Sequence, residues 1–240
     1  MIRLGVLGTI RVWTDDGAEL NHVMAGDHRT ALLVHLVLGW PGLRRRESII
    51  ALLWPDQRIE HARHSLRQLL HVLREELGPA VIVTTGGEYV GVDASRLWCD
   101  ALAFRQAASG GSYERALELY VGPFCEGLSL RGAPEYDRWL ERTRREFHEL
   151  AAESARLLAY RCEASGNAAD AVRWGKRALR LNPGDERMLR WLVQVTAREE
   201  GAAAAVGVYD EFARTMRVEY ELETSDESAA LIRALRTQYR

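Results

Sequence analysis

The stretch Arg58 to Gly78, RIEHARHSLRQLLHVLREELG, decides how the first half of this chain folds. Its apolar residues recur at steps of three and four, and this spacing predicts one helix with a buried face. Those residues are Ala62, Leu66, Leu69, Leu70, Leu73 and Leu77. The opposite face carries polar side chains, namely Arg63, His64, Arg67, Gln68, His71 and Arg74. Arginine matches the two acceptors of guanine and glutamine matches adenine, so this face suits a DNA major groove. The alternative is an ordinary solvated face, which is usual on amphipathic helices.

The sequence predicts six further elements around this helix. They are strands within Ile2–Trp13, a third strand at Ala18–His22, helices at Asp27–Trp40 and Glu47–Trp54, and a hairpin at 81–92. Asp27 is expected to be the N-cap of its helix, and Gly86-Gly87 the turn of the hairpin. This order predicts an α+β winged helix over residues 1–95, with a three-helix core, an N-terminal sheet and a C-terminal hairpin.

The second half of the chain has a helical pattern, without clear strand signals beyond Asp100. Gly166 and Gly201 lie 35 positions apart, and alanines follow each of them. This recurrence is close to the 34-residue tetratricopeptide (TPR) period. Helices near 134–165 and 224–237 are expected to cap the repeats. The prediction for residues 96–240 is therefore an all-α, TPR-like helical-repeat domain.

Composition limits the classes of function. No apolar run approaches the ~20 residues that a membrane span needs, and the start of the chain lacks a signal-peptide pattern. We therefore expect a cytoplasmic protein with no membrane partner. Three widely spaced cysteines argue against a disulfide framework. The net charge is −2, and Lys176 is the one lysine among 32 basic residues, so DNA binding would depend on local patches.

Residues 51–78, ALLWPDQRIEHARHSLRQLLHVLREELG, resemble the second and third helices of OmpR-type winged-helix domains. More narrowly, they resemble those of the Streptomyces antibiotic regulatory protein (SARP) family. The resemblance includes the opening RLGVLG…VW, the Leu-Trp that ends the second helix, and the Ala-Arg-X-Ser-Leu-Arg entry and Leu-Arg-X-X-Leu-Gly exit of the third. In the second half, the bacterial transcriptional activator domain of the same family is similar at GPFCEG, Trp139-Leu140-Glu141, the Gly166 repeat and Tyr209-Asp210-Glu211.

The resemblance implies a transcriptional activator. Its expected partners are double-stranded promoter DNA with direct-repeat sites, RNA polymerase, and a second copy of the chain, at least on DNA. Carried over by position, the groove-facing side chains would be Arg63, His64, Arg67, Gln68, His71 and Arg74. Arg44, Arg45 and Arg46 would approach phosphates, and Thr84 and Thr85 would lie at the wing.

Departures from the family pattern keep a second hypothesis open. Within residues 58–78 four arginines oppose three glutamates, and the wing carries the acidic Glu88. Because phosphate contacts supply most non-specific affinity, we expect weak non-specific DNA binding. The alternative function is a TPR-type protein-interaction or ligand-sensing adaptor whose winged helix has lost DNA binding.

The sequence predicts no catalytic, cofactor or metal site, and so no enzyme. Ser65 has no evident base with an orienting acid, and the chain has no G-x-x-x-x-G-K-[ST] segment for nucleotide phosphates. His61, His64 and His71 have a spacing that a metal could use. No H-E-x-x-H arrangement or neighbouring cysteine supports such a site, so groove-facing or solvated histidines are the favoured interpretation.

Overall fold

The computed structural model describes residues 1–24 and 26–238. The strands are β1 (Ile2–Gly5), β2 (Arg11–Thr14), β3 (Arg44–Arg45), β4 (Ile82–Thr85), β5 (Tyr89–Val92) and β6 (Leu97–Cys99). The helices are α1 (Asp27–Leu38), α2 (Arg46–Leu53), α3 (Ile59–Leu77), α4 (Asp100–Ser109), α5 (Tyr113–Leu119), α6 (Pro134–Ala164), α7 (Ala168–Leu181), α8 (Glu186–Glu199), α9 (Ala202–Tyr220) and α10 (Asp226–Gln238). A small strand-containing region is thus followed by a helical one, as the sequence predicts.

Two compact units divide the chain. The first combines residues 1–110 with 118–147, and the second combines residues 111–117 with 148–240. The first unit therefore includes residues from both sides of position 95, where the sequence places the end of the first domain. The domain limits 1–95 and 96–240 stay a prediction.

The first sheet has the strand order β2-β1-β6. β1 pairs antiparallel with β2 and parallel with β6, so that Leu4 lies opposite both Val12 and Cys99. α4 begins directly after β6 with Asp100, whose buried carboxylate accepts the backbone N–H of Val6 at 2.9 Å and of Leu7 at 3.0 Å. Burial raises the pKa of Asp100. This carboxylate joins the end of β1 to the start of α4.

The predicted third strand at Ala18–His22 is wrong. A single bridge between Trp13 and Glu19 forms, and Asn21–Met24 is a short 3-10 helix. The Oδ1 atom of Asn21 accepts the backbone N–H of Val12 at 3.2 Å. The backbone N–H of Leu20 donates to the carbonyl oxygen of Val12. The side chain of Asn21 therefore accepts the N–H of Val12 that a continued β-ladder would pair with a backbone carbonyl.

The second sheet has the order β3-β5-β4, with both pairings antiparallel. α1 packs against α2, α3 and β5. The predicted cap of α1 is corrected by one position, because Gly26 is the N-cap and Asp27 is the first helical residue. A carboxylate in the first turn still stabilises the positive end of the helix.

In the second unit, α8 packs against α7, α9 and α10. Gly166 precedes α7 with φ 77°, and Gly201 is the N-cap of α9 with φ 90°, so both glycines adopt left-handed backbone before a helix. A Cβ at Gly175 would lie 2.9 Å from the side chain of Leu192, so this glycine permits the close approach of α7 and α8. The predicted helical character of this half is confirmed.

In the part of the chain that the structure describes, no helix is both long and apolar enough to cross a bilayer.

Candidate nucleic-acid interface

The helix α3 presents most of the predicted polar stripe to solvent. Its packed face is formed by Ala62, Leu66, Leu70, Leu73 and Leu77, all of them buried. The exposed members of the stripe are Arg63, His64, Arg67, Gln68 and His71. Leu69, which the spacing assigns to the packed face, is half-buried at its edge. Steps of three and four residues therefore separate a packed leucine face from a polar face, and the polar face is free to meet a ligand.

Arg74 differs from the other members of the stripe. It is half-buried, and its Nε donates to the carbonyl oxygen of Ile82 at 3.4 Å. This bond connects the last turns of α3 to the start of β4. Arg74 therefore helps to fix the β4–β5 hairpin against α3.

Arg46, at the start of α2, forms a positive cluster with Arg67 and Arg74. Its backbone N–H donates to the carbonyl oxygen of Glu88 at 2.9 Å, which holds the helix start beside the hairpin. Burial lowers the pKa of the Arg46 guanidinium, and the positive charges of Arg74 and Arg67 lower it further. The negative charge of Glu47 opposes this lowering of the pKa. The buried Nε of Arg46 has no hydrogen-bond partner among the described residues. Three like charges with an unused donor favour a bound anion, and a phosphate oxygen is the acceptor that DNA would supply.

Arg44 and Arg45 have different environments although they are adjacent in β3. Arg45 is exposed, and its guanidinium lies 6.0 Å from the ring centre of Tyr89. Arg44 is half-buried, and a Cβ at Gly39 would lie 2.6 Å from its Nε. Arg45 is therefore placed to contact a ligand, whereas part of Arg44 fills space beside α1.

The hairpin presents its two threonines on opposite faces. Thr84 pairs with Val90 and Thr85 pairs with Tyr89, and successive strand residues alternate sides. Both threonines are exposed. Tyr89 is not among the residues predicted from the sequence, but it is also exposed and lies across from Thr85. A two-residue turn at Gly86-Gly87 would instead have placed Tyr89 across from Thr84, so the three-residue loop 86–88 decides the face of Tyr89.

Acidic side chains reduce the positive charge of the stripe. Arg63 lies 3.7 Å from Glu60 and 4.0 Å from Glu47, and His71 lies 3.3 Å from Glu75. These pairs are exposed and are therefore weak. Among the described residues, Arg67 and Arg46 form no ion pair with a carboxylate, unlike Arg63 and His71.

Over residues 1–24 and 26–238, no group of three histidine, cysteine, aspartate or glutamate side chains is arranged to hold a metal ion. His64 and His71 belong to the exposed stripe of α3, and His61 is exposed as well.

Comparison with known proteins places the chain in a family. The model of the family described as "Bacterial transcriptional activator domain" matches residues 98–236. Among solved structures, the chain is similar to Mycobacterium tuberculosis EmbR, determined in complex with a low affinity phosphopeptide, with 19% identity and a TM-score of 0.63. This similarity covers 99% of the chain and 65% of the EmbR chain, so the chain spans less than two thirds of EmbR. No curated protein matches the chain.

The similarity to EmbR shows a shared fold, whereas the match to the family model shows the family. The resemblance noted at GPFCEG and at the Gly166 repeat falls within its matched residues. Because this match spans more than half of the chain, the chain belongs to the bacterial transcriptional activator domain family.

Proposed function

We propose that the chain is a sequence-specific DNA-binding transcriptional activator. In this proposal residues 1–95 form an OmpR-type winged helix, α3 enters the major groove, and the β4–β5 hairpin is the wing. The observation that carries the proposal is the exposed stripe of Arg63, His64, Arg67, Gln68 and His71 on α3, opposite a face that packs in the core. Arg67 and Gln68 lie within that stripe and match guanine and adenine.

Phosphate contacts in this proposal come from the start of α2 and from β3. Arg46 has a buried donor without a partner, and Arg45 is exposed beside Tyr89. Positioning by phosphates and reading by base edges are separate tasks in protein–DNA recognition. The Arg46 cluster suits the first task and the α3 stripe suits the second.

The TPR-like helical domain, residues 96–240, is proposed to provide contacts between two copies on direct-repeat sites and with RNA polymerase. The description of the family supports this assignment. A two-copy arrangement also compensates for the limited positive charge of each α3 helix, because two linked sites bind more tightly than either one alone.

The test uses a DNA duplex that the protein selects from a random pool. Arg67→Ala and Gln68→Ala are each expected to weaken the specific gel shift by about tenfold or more, since one base contact contributes roughly 1–3 kcal/mol. Arg131→Ala removes an exposed arginine of the same unit that belongs to neither α3 nor the hairpin, and it should leave the shift unchanged. Equal binding by wild type and both α3 variants, with native circular dichroism, would refute base reading by α3.

A second candidate function is the protein-interaction or ligand-sensing adaptor without DNA binding. The carboxylates beside Arg63 and His71 favour it, because they partly cancel the charge that DNA binding requires. The selection repeated at two salt concentrations separates the candidates. A DNA-binding protein loses about 0.9 in log affinity for each phosphate contact per decade of salt, and an adaptor enriches no sequence at either concentration.

A further inference from the structure

A groove of about 280 Å³ lies between α7 and α9 in the second unit. Both helices pack on α8, and Leu192 of α8 contributes to the groove lining. Leu179 of α7 and Val208 and Phe212 of α9 complete an apolar floor. Leu179 and Val208 are only partly buried, so the floor keeps apolar surface that a ligand can cover.

The two walls of the groove carry opposite charges. Lys176 and Arg180 lie one turn apart on α7, and Glu211 and Glu219 lie two turns apart on α9. All four side chains are exposed. Within residues 1–24 and 26–238, none of the four forms an ion pair. The groove therefore has one basic wall and one acidic wall, and neither wall is neutralised within the described chain.

We propose that this groove binds an amphipathic α-helix of a partner protein, with its apolar stripe on the floor. One flank of that helix carries acidic residues facing Lys176 and Arg180, and the other carries basic residues facing Glu211 and Glu219. An α-helix fits because both walls space their charges at multiples of four residues, which is also the spacing along one face of a helix. Apolar anchors in a groove with charged flanks are a recurring mode of helix recognition.

The proposal is independent of DNA binding by α3, because every residue that carries it lies in the second unit. Charge on the walls gives selectivity more than affinity, since exposed ion pairs are individually weak. The decisive measurement is therefore the order of affinities among ligands that differ only in their flanks.

The probes are designed helical peptides of about 16 residues with the same leucine stripe. One has a glutamate flank and a lysine flank, one has glutamate on both flanks, and one has lysine on both. A simple exchange of the two flanks is not a useful control, because a helix can reverse its direction in the groove. By fluorescence anisotropy, the full chain is expected to prefer the mixed peptide by about tenfold over the other two.

Charge reversal of one wall should change the preferred peptide. The double variant Lys176→Glu with Arg180→Glu is expected to prefer the lysine-flanked peptide by about tenfold, and Glu211→Lys with Glu219→Lys the glutamate-flanked one. Each variant gains one ligand as it loses another, so loss of folding cannot produce the result. Arg187→Glu, an exposed change on α8 outside the groove lining, should keep the wild-type order. Failure of the wild type to bind any peptide, or one order of preference in all proteins, would overturn the proposal.

Discussion

Arg144 in α6 and Arg46 in α2 are both half-buried arginines of the first unit, and their surroundings are opposite. Arg144 has acceptors on every side. Its Nε donates to the carbonyl oxygen of Phe124 at 2.9 Å, its Nη2 donates to those of Cys125 at 2.6 Å and Leu128 at 2.8 Å, and its Nη1 pairs with Glu141. Arg46 has a buried Nε without a partner among the described residues, and two arginines beside it.

The difference between these regions shows how to separate structural from ligand-binding arginines. In this chain 31 of the 32 basic residues are arginine, so the residue type alone does not distinguish structural from ligand-binding side chains. A half-buried guanidinium such as that of Arg144, with four of its five N–H donors bonded to acceptors in the chain, stabilises the fold. One that is left with an unused donor and like-charged neighbours destabilises it slightly, and an external anion reverses that cost.

The largest expected effect on stability is that of replacing Arg144, whose guanidinium has acceptors in the chain. Arg144→Met keeps the apolar stem and removes the donors to three carbonyl oxygens in the loop before α6. Since hydrogen bonds to charged groups contribute roughly 1.5–3 kcal/mol each and are not additive, we expect a loss of about 4 kcal/mol in the free energy of unfolding. Urea denaturation followed by circular dichroism measures it. Arg142→Met, an exposed neighbour on the same helix, should cost less than about 0.5 kcal/mol.

A loss below about 1 kcal/mol for Arg144→Met would contradict this interpretation. It would mean that water satisfies the loop carbonyls as well as the guanidinium does.

His35 of α1 extends the comparison to a titrating group. Its ring packs edge-on against Trp139 with 5.0 Å between ring centres, and its Nδ1 is buried without a partner among the described residues. Burial lowers the pKa of His35 to about 4, and the positive charge of Arg44 contributes to the same shift. The folded-state pKa lies below the unfolded value of about 6.5. The neutral ring therefore contributes stability that is present above pH 6.5 and is lost as the pH falls towards 4.

We expect His35 to account for up to about 3 kcal/mol of acid destabilisation between about pH 6.5 and 4, at 1.36 kcal/mol per pKa unit. His35→Phe keeps a ring against Trp139 and should flatten this part of the stability curve. His61→Phe changes an exposed histidine and should leave the curve as it is. Parallel curves for wild type and His35→Phe would show that His35 is not buried in its neutral form.

Much of the fold could be predicted from the sequence, because long helices repeat their pattern many times. The leucine spacing of α3 predicts its packed face residue by residue, with Leu69 at the edge. Short strands carry too few residues for a pattern. β3 has two residues and β6 has three, and both exist because β5 and β1 supply their partners. The error at Ala18–His22 has the same origin, since one side-chain bond from Asn21 decides against a strand.

Part of the candidate site could also be predicted from the sequence, and part could not. Exposure of Arg63, Arg67 and Gln68 follows from helical spacing. The partial burial of Arg44 and Arg46 does not follow from the sequence, because it depends on Gly39 and on the approach of α3 to α2. Each of the two has a buried Nε without a partner among the described residues. A run of three arginines in sequence thus becomes one exposed side chain and two that are partly enclosed.

The smallest expected effect on stability, and the one that tests the comparison most directly, is that of Arg46→Met. Removing a buried donor without a partner, together with its repulsion from Arg67 and Arg74, should leave stability unchanged or raise it by up to about 1 kcal/mol. Affinity for DNA should nevertheless fall. If Arg46 holds a phosphate, the loss of affinity is equal for the selected duplex and for random duplex. The slope of log affinity against log salt concentration then becomes less steep by about 1.

The matched contrast is Arg67→Ala, which lies in the base-facing stripe and should reduce binding of the selected duplex more than binding of random DNA. Gel shifts with both duplexes at several salt concentrations distinguish the two variants. A loss of stability above about 1 kcal/mol for Arg46→Met would place Arg46 with Arg144 among the structural arginines. An unchanged salt slope with unchanged stability would remove the phosphate contact from Arg46 and leave base reading by α3 to stand or fall on Arg67 and Gln68.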